Sequence, residues 1–186
     1  METGDVYIAL GSNLGDGMHT LLKAWALLGK HDGITLSALS PPFLTAPVDM
    51  TSQNWFTNAA GCLSTRHTPL ALLDILLETE AILGRARDAD TTTYQDRIID
   101  LDLLYFGSVI LDTPRLVLPH PRRDKRLFVL APMTAIAPEF VDPGHLQTIA
   151  ELHHQLLEKI RNNQVDKQEI KVSLWPEETS LTDGTM

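Results

Sequence analysis

The stretch Arg97-Ile98-Ile99-Asp100-Leu101-Asp102-Leu103-Leu104-Tyr105-Phe106-Gly107 constrains the fold more than any other part of the chain. It is the strongest strand candidate, apolar on both sides of its two carboxylates and closed by a glycine. Side chains alternate faces along a strand. Ile99, Leu101 and Leu103 therefore share one face, which points into a core, and Asp100 and Asp102 share the other. The flanking apolar residues read as a central strand. Two carboxylates side by side repel each other unless a cation lies between them. Hard divalent ions such as Mg²⁺ take oxygen ligands, usually one or two carboxylates together with substrate phosphates. Asp100 and Asp102 are thus the candidate metal ligands.

The elements before this strand set its neighbours. Val6 to Leu10 is a short apolar strand ending at Gly11. Leu21, Leu22, Trp25 and Leu28 recur at helical spacing, with Gly29 or Gly33 near the stop. Ile34 to Leu39 alternates as a half-buried strand, and Trp55 to Ser64 is another. Thr68 and Pro69 suit the cap and first turn of a helix that runs on to Gly84. With the strand at 98–106 the order is β-α-β-β-α-β, which predicts a ferredoxin-like α+β core: an antiparallel sheet with two helices on one face.

Beyond the core, Gly107-Ser108 predicts a hairpin into Val109–Leu111, followed by a Pro- and Arg-rich loop at 112–125. Phe128–Ile136 predicts a helix broken or kinked at Pro132, and Thr148–Arg161 an amphipathic helix. These additions make a three-layer α/β/α arrangement with an extra hairpin and C-terminal helices. Residues 1–162 read as a single domain and 163–186 as a polar tail lying outside it. Loops 40–54 and 84–97 are the candidate lids over the site.

The 186 residues are the length of one domain, which can bury about 70% of its unfolded surface. Such a core needs no disulfide or structural metal, and Cys62, the single cysteine, could supply neither a disulfide nor a Cys-based zinc site. The N-terminus Met1-Glu2-Thr3-Gly4-Asp5 has no signal-peptide character, and no run approaches the ~20 apolar residues of a membrane span. A cytoplasmic protein, working as a monomer without membrane contact, is expected.

A net charge of −9 opposes broad binding to nucleic acid. The charge is uneven, however. Residues 85–126 hold 8 cations and 7 anions, a balance of +1, so the other 144 residues carry 7 and 17, a balance of −10. Seven of the nine arginines (Arg85, Arg87, Arg97, Arg115, Arg122, Arg123, Arg126) fall in that window. Guanidinium forks beside a metal-binding carboxylate pair are a usual means of holding a polyphosphate. His120, fixed between Pro119 and Pro121, is a further phosphate donor candidate. The chain has no G-x-x-x-x-G-K-[ST] loop and no G-x-G-x-x-G, so any nucleotide is held by Mg²⁺ and arginines rather than a glycine cradle.

Five blocks occur in order: Tyr7-Ile8-Ala9-Leu10-Gly11-Ser12-Asn13-Leu14-Gly15, Phe56-Thr57-Asn58-Ala59-Ala60, Gly84-Arg85-Ala86-Arg87, Arg97 to Gly107, and Leu118-Pro119-His120-Pro121-Arg122. Together they resemble the 6-hydroxymethyl-7,8-dihydropterin pyrophosphokinase family of folate biosynthesis, over about three-quarters of the chain. The resemblance implies transfer of the β,γ-pyrophosphoryl group of ATP to the hydroxymethyl group of the pterin, with release of AMP. It implies two Mg²⁺ ions on Asp100 and Asp102, and ATP contacts from Arg85, Arg87, Arg97, His120 and Arg126, with Arg115 grouped among them. Arg85 and Arg97 join the carboxylates as catalytic residues. The pterin would lie between Phe56 and Phe128, with Asn58 reading its amide-like edge and Thr45 and Val48 offering backbone groups. ATP and hydroxymethyl-dihydropterin are then the partners.

Departures from the family pattern lie at Thr93-Tyr94-Gln95-Asp96-Arg97, where Arg-Trp-x-Pro-Arg is usual, and at Pro121, where an aromatic residue is usual. On the residues alone, a two-metal nucleotidyl transferase or cyclase and a non-catalytic ferredoxin-like binding module stay open as alternatives.

Overall fold

The computed structural model of the chain describes residues 5–48, 52–85 and 96–176. In chain order the elements are β1 (Val6–Ser12), α1 (Gly17–Leu28), β2 (Ile34–Leu39), β3 (Phe43–Thr45), β4 (Phe56–Thr65), α2 (Pro69–Ile82) and β5 (Asp100–Phe106). They continue as β6 (Leu111–Asp112), β7 (Val117–Leu118), α3 (Leu127–Ile136), β8 (Val141–Asp142), β9 (Gln147–Thr148), α4 (Ile149–Arg161) and β10 (Ile170–Val172). A 3-10 turn at Arg123–Lys125 precedes α3.

The main sheet runs β10-β3-β4-β1-β5, and β2 pairs with the remaining length of β4. Every pairing in it is antiparallel. Strand alternation sorts β1 between two cores. Val6, Ile8 and Leu10 meet Leu21 and Leu28 of α1 and Leu72 and Leu76 of α2. Tyr7 faces the opposite side, with Leu130 and Met133 of α3 and Ile149 and Leu152 of α4. Gly61 on β4 is required by packing, since a Cβ there would sit 2.3 Å from the Trp25 ring.

Local chemistry explains where the helices begin. Asp16 accepts from the His19 N–H and Thr68 from the Ala71 N–H, each satisfying an orphan donor of a first turn. Thr148 and Glu151 form a reciprocal capping box at α4.

Besides β3, which lies inside the 40–54 segment read as a loop, four features differ from expectation. First, β5 is the end strand of the sheet, not a central one. It is buried because other elements cover its outer edge: the Leu101 N–H donates to the Glu80 carboxylate of α2 at 2.7 Å, and the Leu104 carbonyl accepts from the His120 N–H at 2.9 Å. Second, the extra hairpin pairs β6 with β7, at 111–112 and 117–118, rather than folding back at Gly107-Ser108. Third, α3 runs through Pro132, whose missing N–H would otherwise bond to the Phe128 carbonyl. Fourth, part of the polar tail returns to the sheet, where Ile170–Val172 pairs with β3 and the Trp175 indole N–H donates to the Ser40 carbonyl.

β5 also carries a one-residue slip against β1: Tyr7 opposes Tyr105, but Ile8 opposes Leu103. The extra residue puts Leu104 and Tyr105 together in the second core while Leu101 and Leu103 stay in the first.

Candidate functional site

β5 begins at Asp100, where the sheet opens into a cavity. Its lining includes the charged residues Arg97, Asp100, Asp102 and Arg126. It also includes Phe56, Phe128, Asn58, Thr45, Ala46, Val48 and Gly11, with Arg97 over the Phe56 ring and Arg126 over the Phe128 ring. A Cβ at Gly11 would lie 3.1 Å from the Asn58 Oδ1, so glycine leaves that amide room.

Asp100 and Asp102 lie on the same strand face, opposite Leu101 and Leu103 in the core. Asp100 is held by two guanidinium groups. The Arg97 Nη1 donates to its Oδ2 at 2.7 Å, and the Arg85 Nη1 donates to its Oδ1. Arg85 is itself anchored, since the same Nη1 donates to the Glu80 Oε1 at 2.6 Å. Burial, and then the neighbouring Asp100 charge, push the Asp102 carboxyl up to about 6, against the pull of Arg126 and Arg97.

A divalent cation suits this donor set. Two carboxylates sit on one face, and Asp102 ionises reluctantly because it is buried and, second, because Asp100 is beside it. Among the described residues no group of three or more His, Cys, Asp or Glu gathers as a self-sufficient metal cage. The pair thus fits an ion that completes its shell with phosphate oxygens and water, as Mg²⁺ does.

Asp96 organises the entry to β5. It accepts from the Asn13 Nδ2 at 2.6 Å and the Asn54 Nδ2 at 2.9 Å, while the Asn13 Oδ1 accepts from the Arg97 N–H at 2.7 Å. Arg97 is thereby fixed between Asp100 and the Phe56 ring, its guanidinium carbon 5.8 Å from the ring centre. The Asn58 Nδ2 donates to the Thr45 Oγ1 at 2.9 Å; both residues are buried.

Arg126 immediately precedes α3 and lies over the Phe128 ring at 5.3 Å. Gln168 brackets this corner, its Oε1 accepting from the Leu127 N–H at 2.7 Å and its Nε2 donating to the Lys125 carbonyl at 2.9 Å. His120 stands beside the cavity, its backbone N–H tied to β5. Burial, then the charges of Arg126 and Arg122, lower its pKa to about 4, so the ring is neutral at pH 7.

The structure thus brings Asp100, Asp102, Arg85, Arg97, Arg126, Thr45, Val48, Phe56, Asn58 and Phe128 to one place. Arg115 lies elsewhere: it is exposed and donates to Asp74 on α2 at 2.5 Å. Arg87, and most of the loop from 84 to 97, lie outside the described residues. Sequence reasoning missed Glu80, Asp96 and Gln168. Glu80 was legible only as a charged residue on an otherwise apolar helical face; the other two gave no signal.

Comparison with known proteins follows the same lines. Residues 7–138 match the family model described as 7,8-dihydro-6-hydroxymethylpterin-pyrophosphokinase. The 2-amino-4-hydroxy-6-hydroxymethyldihydropteridine pyrophosphokinase of Methylorubrum extorquens is 38% identical over 156 residues, 83% of this chain and 97% of that protein. The Bacillus subtilis protein of the same name is 41% identical over 130 residues, 70% of this chain and 76% of its own length. Among solved structures, an HPPK-DHPS crystallised with substrates matches 94% of this chain with a TM-score of 0.73 at 14% identity, a likeness of fold. The chain spans about half the length of that structure, 48% of it.

Proposed function

Because the chain belongs to the 7,8-dihydro-6-hydroxymethylpterin-pyrophosphokinase family, we propose that the cavity at the start of β5 is its active site, with ATP at the charged residues and the pterin at the aromatic ones. The enzyme transfers the pyrophosphoryl group of ATP to hydroxymethyldihydropterin in folate synthesis. Atom balance makes AMP the second product. The observation that carries the assignment is the cavity's lining: a carboxylate pair with arginines shares one cavity with two phenylalanines and a buried Asn–Thr pair.

Each set of residues suits its substrate. A flat heteroaromatic ring gains from contact with Phe56 and Phe128, and Asn58 offers both a donor and an acceptor to an amide-like edge. Thr45 takes one Asn58 N–H, which fixes the direction of the amide. Arg97 and Arg126 line the cavity, where their forks suit phosphate oxygens. Asp100 and Asp102 would hold two Mg²⁺ ions, which supply charge neutralisation on the phosphates when bound. The protein's own share is positioning. Glu80 fixes Arg85, Asp96 and Asn13 fix the segment bearing Arg97, and Gln168 brackets Arg126. His120, neutral at pH 7, serves as a hydrogen-bond partner for phosphate rather than as a charge. The strand order β5-β1-β4-β2, with α1 and α2 on one face, supports a ferredoxin-like reading of the core.

Calorimetric titration with a non-hydrolysable ATP analogue and Mg²⁺, followed by the pterin, tests the assignment. Binding of both is expected; absence of pterin binding under every nucleotide condition overturns it. Release of AMP, rather than pyrophosphate, separates the reaction from nucleotidyl transfer.

A further inference from the structure

Arg123 is the one arginine of the 85–126 window that is fully buried among those described, at 6% exposure, and it touches nothing in the cavity. Its partner is Asp142 of β8, which has 0% exposure. The Arg123 Nε donates to the Asp142 Oδ2 at 2.5 Å and its Nη2 to the Oδ1 at 2.7 Å, a two-pronged fork. The Tyr105 hydroxyl donates to the same Oδ2 at 2.8 Å, and the Gly144 and His145 N–H groups donate to Oδ1 at 2.7 and 2.9 Å. Burial alone would disfavour the Asp142 carboxylate. The bonds from Arg123, Tyr105 and His145 outweigh it and hold the carboxyl far below the usual range. The other groups facing the guanidinium are the His145 ring, 3.0 Å from Nη2, and the Tyr105 ring beneath it. Asp124 stands behind His145 at 3.4 Å.

The remaining donor of this guanidinium reaches the site. The Arg123 Nη1 donates to the His120 backbone carbonyl at 3.2 Å. Arg123 therefore joins three segments: the strand that carries Asp100 and Asp102, five and three residues before Tyr105, the loop from His120 to Arg126, and the β8–β9 hairpin.

We infer that Arg123 is a positioning residue. Locked onto Asp142 and Tyr105, it sets the 120–126 loop on β5 so that His120 and Arg126 face the carboxylate pair. The buried fork fixes the guanidinium, the guanidinium fixes the His120 carbonyl, and the 3-10 turn carries that placement to Arg126 at the head of α3. A lysine can keep the charge opposite Asp142 but cannot reach Asp142 by two prongs and the His120 carbonyl together.

This inference rests on the assignment of His120 and Arg126 to ATP, so its test carries Arg126→Ala beside it. The double variant Arg123→Met with Asp142→Asn removes both charges together and keeps an acceptor for the Gly144 and His145 N–H groups. Folded by circular dichroism, it should bind a Mg²⁺-loaded ATP analogue at least tenfold more weakly by calorimetry. Its KM for ATP should rise while its KM for pterin stays within twofold. A purely structural role would lower the active fraction and move neither constant. Arg123→Lys, which preserves the charge that Asp142 needs, should raise the KM for ATP severalfold at nearly unchanged Tm. It decides the matter if the double variant does not fold. ATP affinity within twofold of wild type in the folded variants overturns the inference, provided that Arg126→Ala weakens ATP binding. If Arg126→Ala leaves ATP binding intact, the assignment of Arg126 itself falls.

Discussion

Glu80 offers the sharpest test of how the site is held. It is 1% exposed on α2, and one oxygen, Oε1, accepts both the Leu101 N–H at 2.7 Å and the Arg85 Nη1 at 2.6 Å. Glu80→Ala leaves the N–H of buried Leu101 without an acceptor, at about 1–3 kcal/mol. The lost burial of the side-chain stem adds about 1 kcal/mol. Arg85 is less affected because Asp100 still holds it. The sum is about 2–4 kcal/mol, or a fall in Tm of roughly 5–15 °C for a protein of this length. Glu80→Gln keeps the shared acceptor oxygen and loses only the charge assistance, so it should cost about 1–2 kcal/mol. Equilibrium urea unfolding followed by tryptophan fluorescence measures both. Alanine must be clearly worse than glutamine. An alanine variant within about 0.5 kcal/mol of wild type, or a glutamine variant as damaged as alanine, refutes the claim that this oxygen clamps β5 to α2.

Two further predictions follow from the charged residues. Asp100→Ala and Asp102→Ala should each abolish nearly all AMP release while the fold survives by circular dichroism, since neither side chain lies in the apolar core; turnover close to wild type would exclude them from the chemistry. His120 gives a pH signature: its folded pKa of about 4 lies below the unfolded value near 6.5, so between those limits the unfolded chain takes up a proton that the folded chain refuses. Stability should therefore be flat above pH 7 on this account and fall by on the order of 3 kcal/mol as pH drops from 6.5 to 4. His120→Gln should lose that part of the slope in urea titrations, and an identical slope in both proteins contradicts the burial of a neutral ring.

What could be read from the sequence follows the range of each interaction. β2 and the Thr68 cap depend on neighbours within a few positions, and the sequence displays them directly. The facing of Asp100 and Asp102 away from Leu101 and Leu103 follows from strand period alone. The place of β5 in the sheet does not. An apolar strand can be buried by sheet neighbours on both sides or, as here, by a helix carboxylate 21 residues upstream and a loop. Gln168 acts 41 residues from Leu127, and Arg123 acts 19 residues from Asp142. No periodicity encodes such pairs. The tail reads in the sequence only as polar, yet the backbone of Ile170–Val172 completes a sheet edge and the Gln168 amide a helix start.

The arginine-rich window is also less uniform than its net charge of +1 suggests. Arg115 is neutralised by Asp74 at the surface, and Arg123 by Asp142 in the interior. What remains at the cavity is Arg97 and Arg126 against Asp100 and Asp102, with Arg85 offset by Glu80 just behind. These groups sum to zero when all are ionised. Burial, and then the Asp100 charge, already raise the Asp102 pKa. A triphosphate adds several negative charges to a lining whose described groups are already balanced. That balance favours the proposed pairing of ATP with divalent metal ions over reliance on these arginines alone.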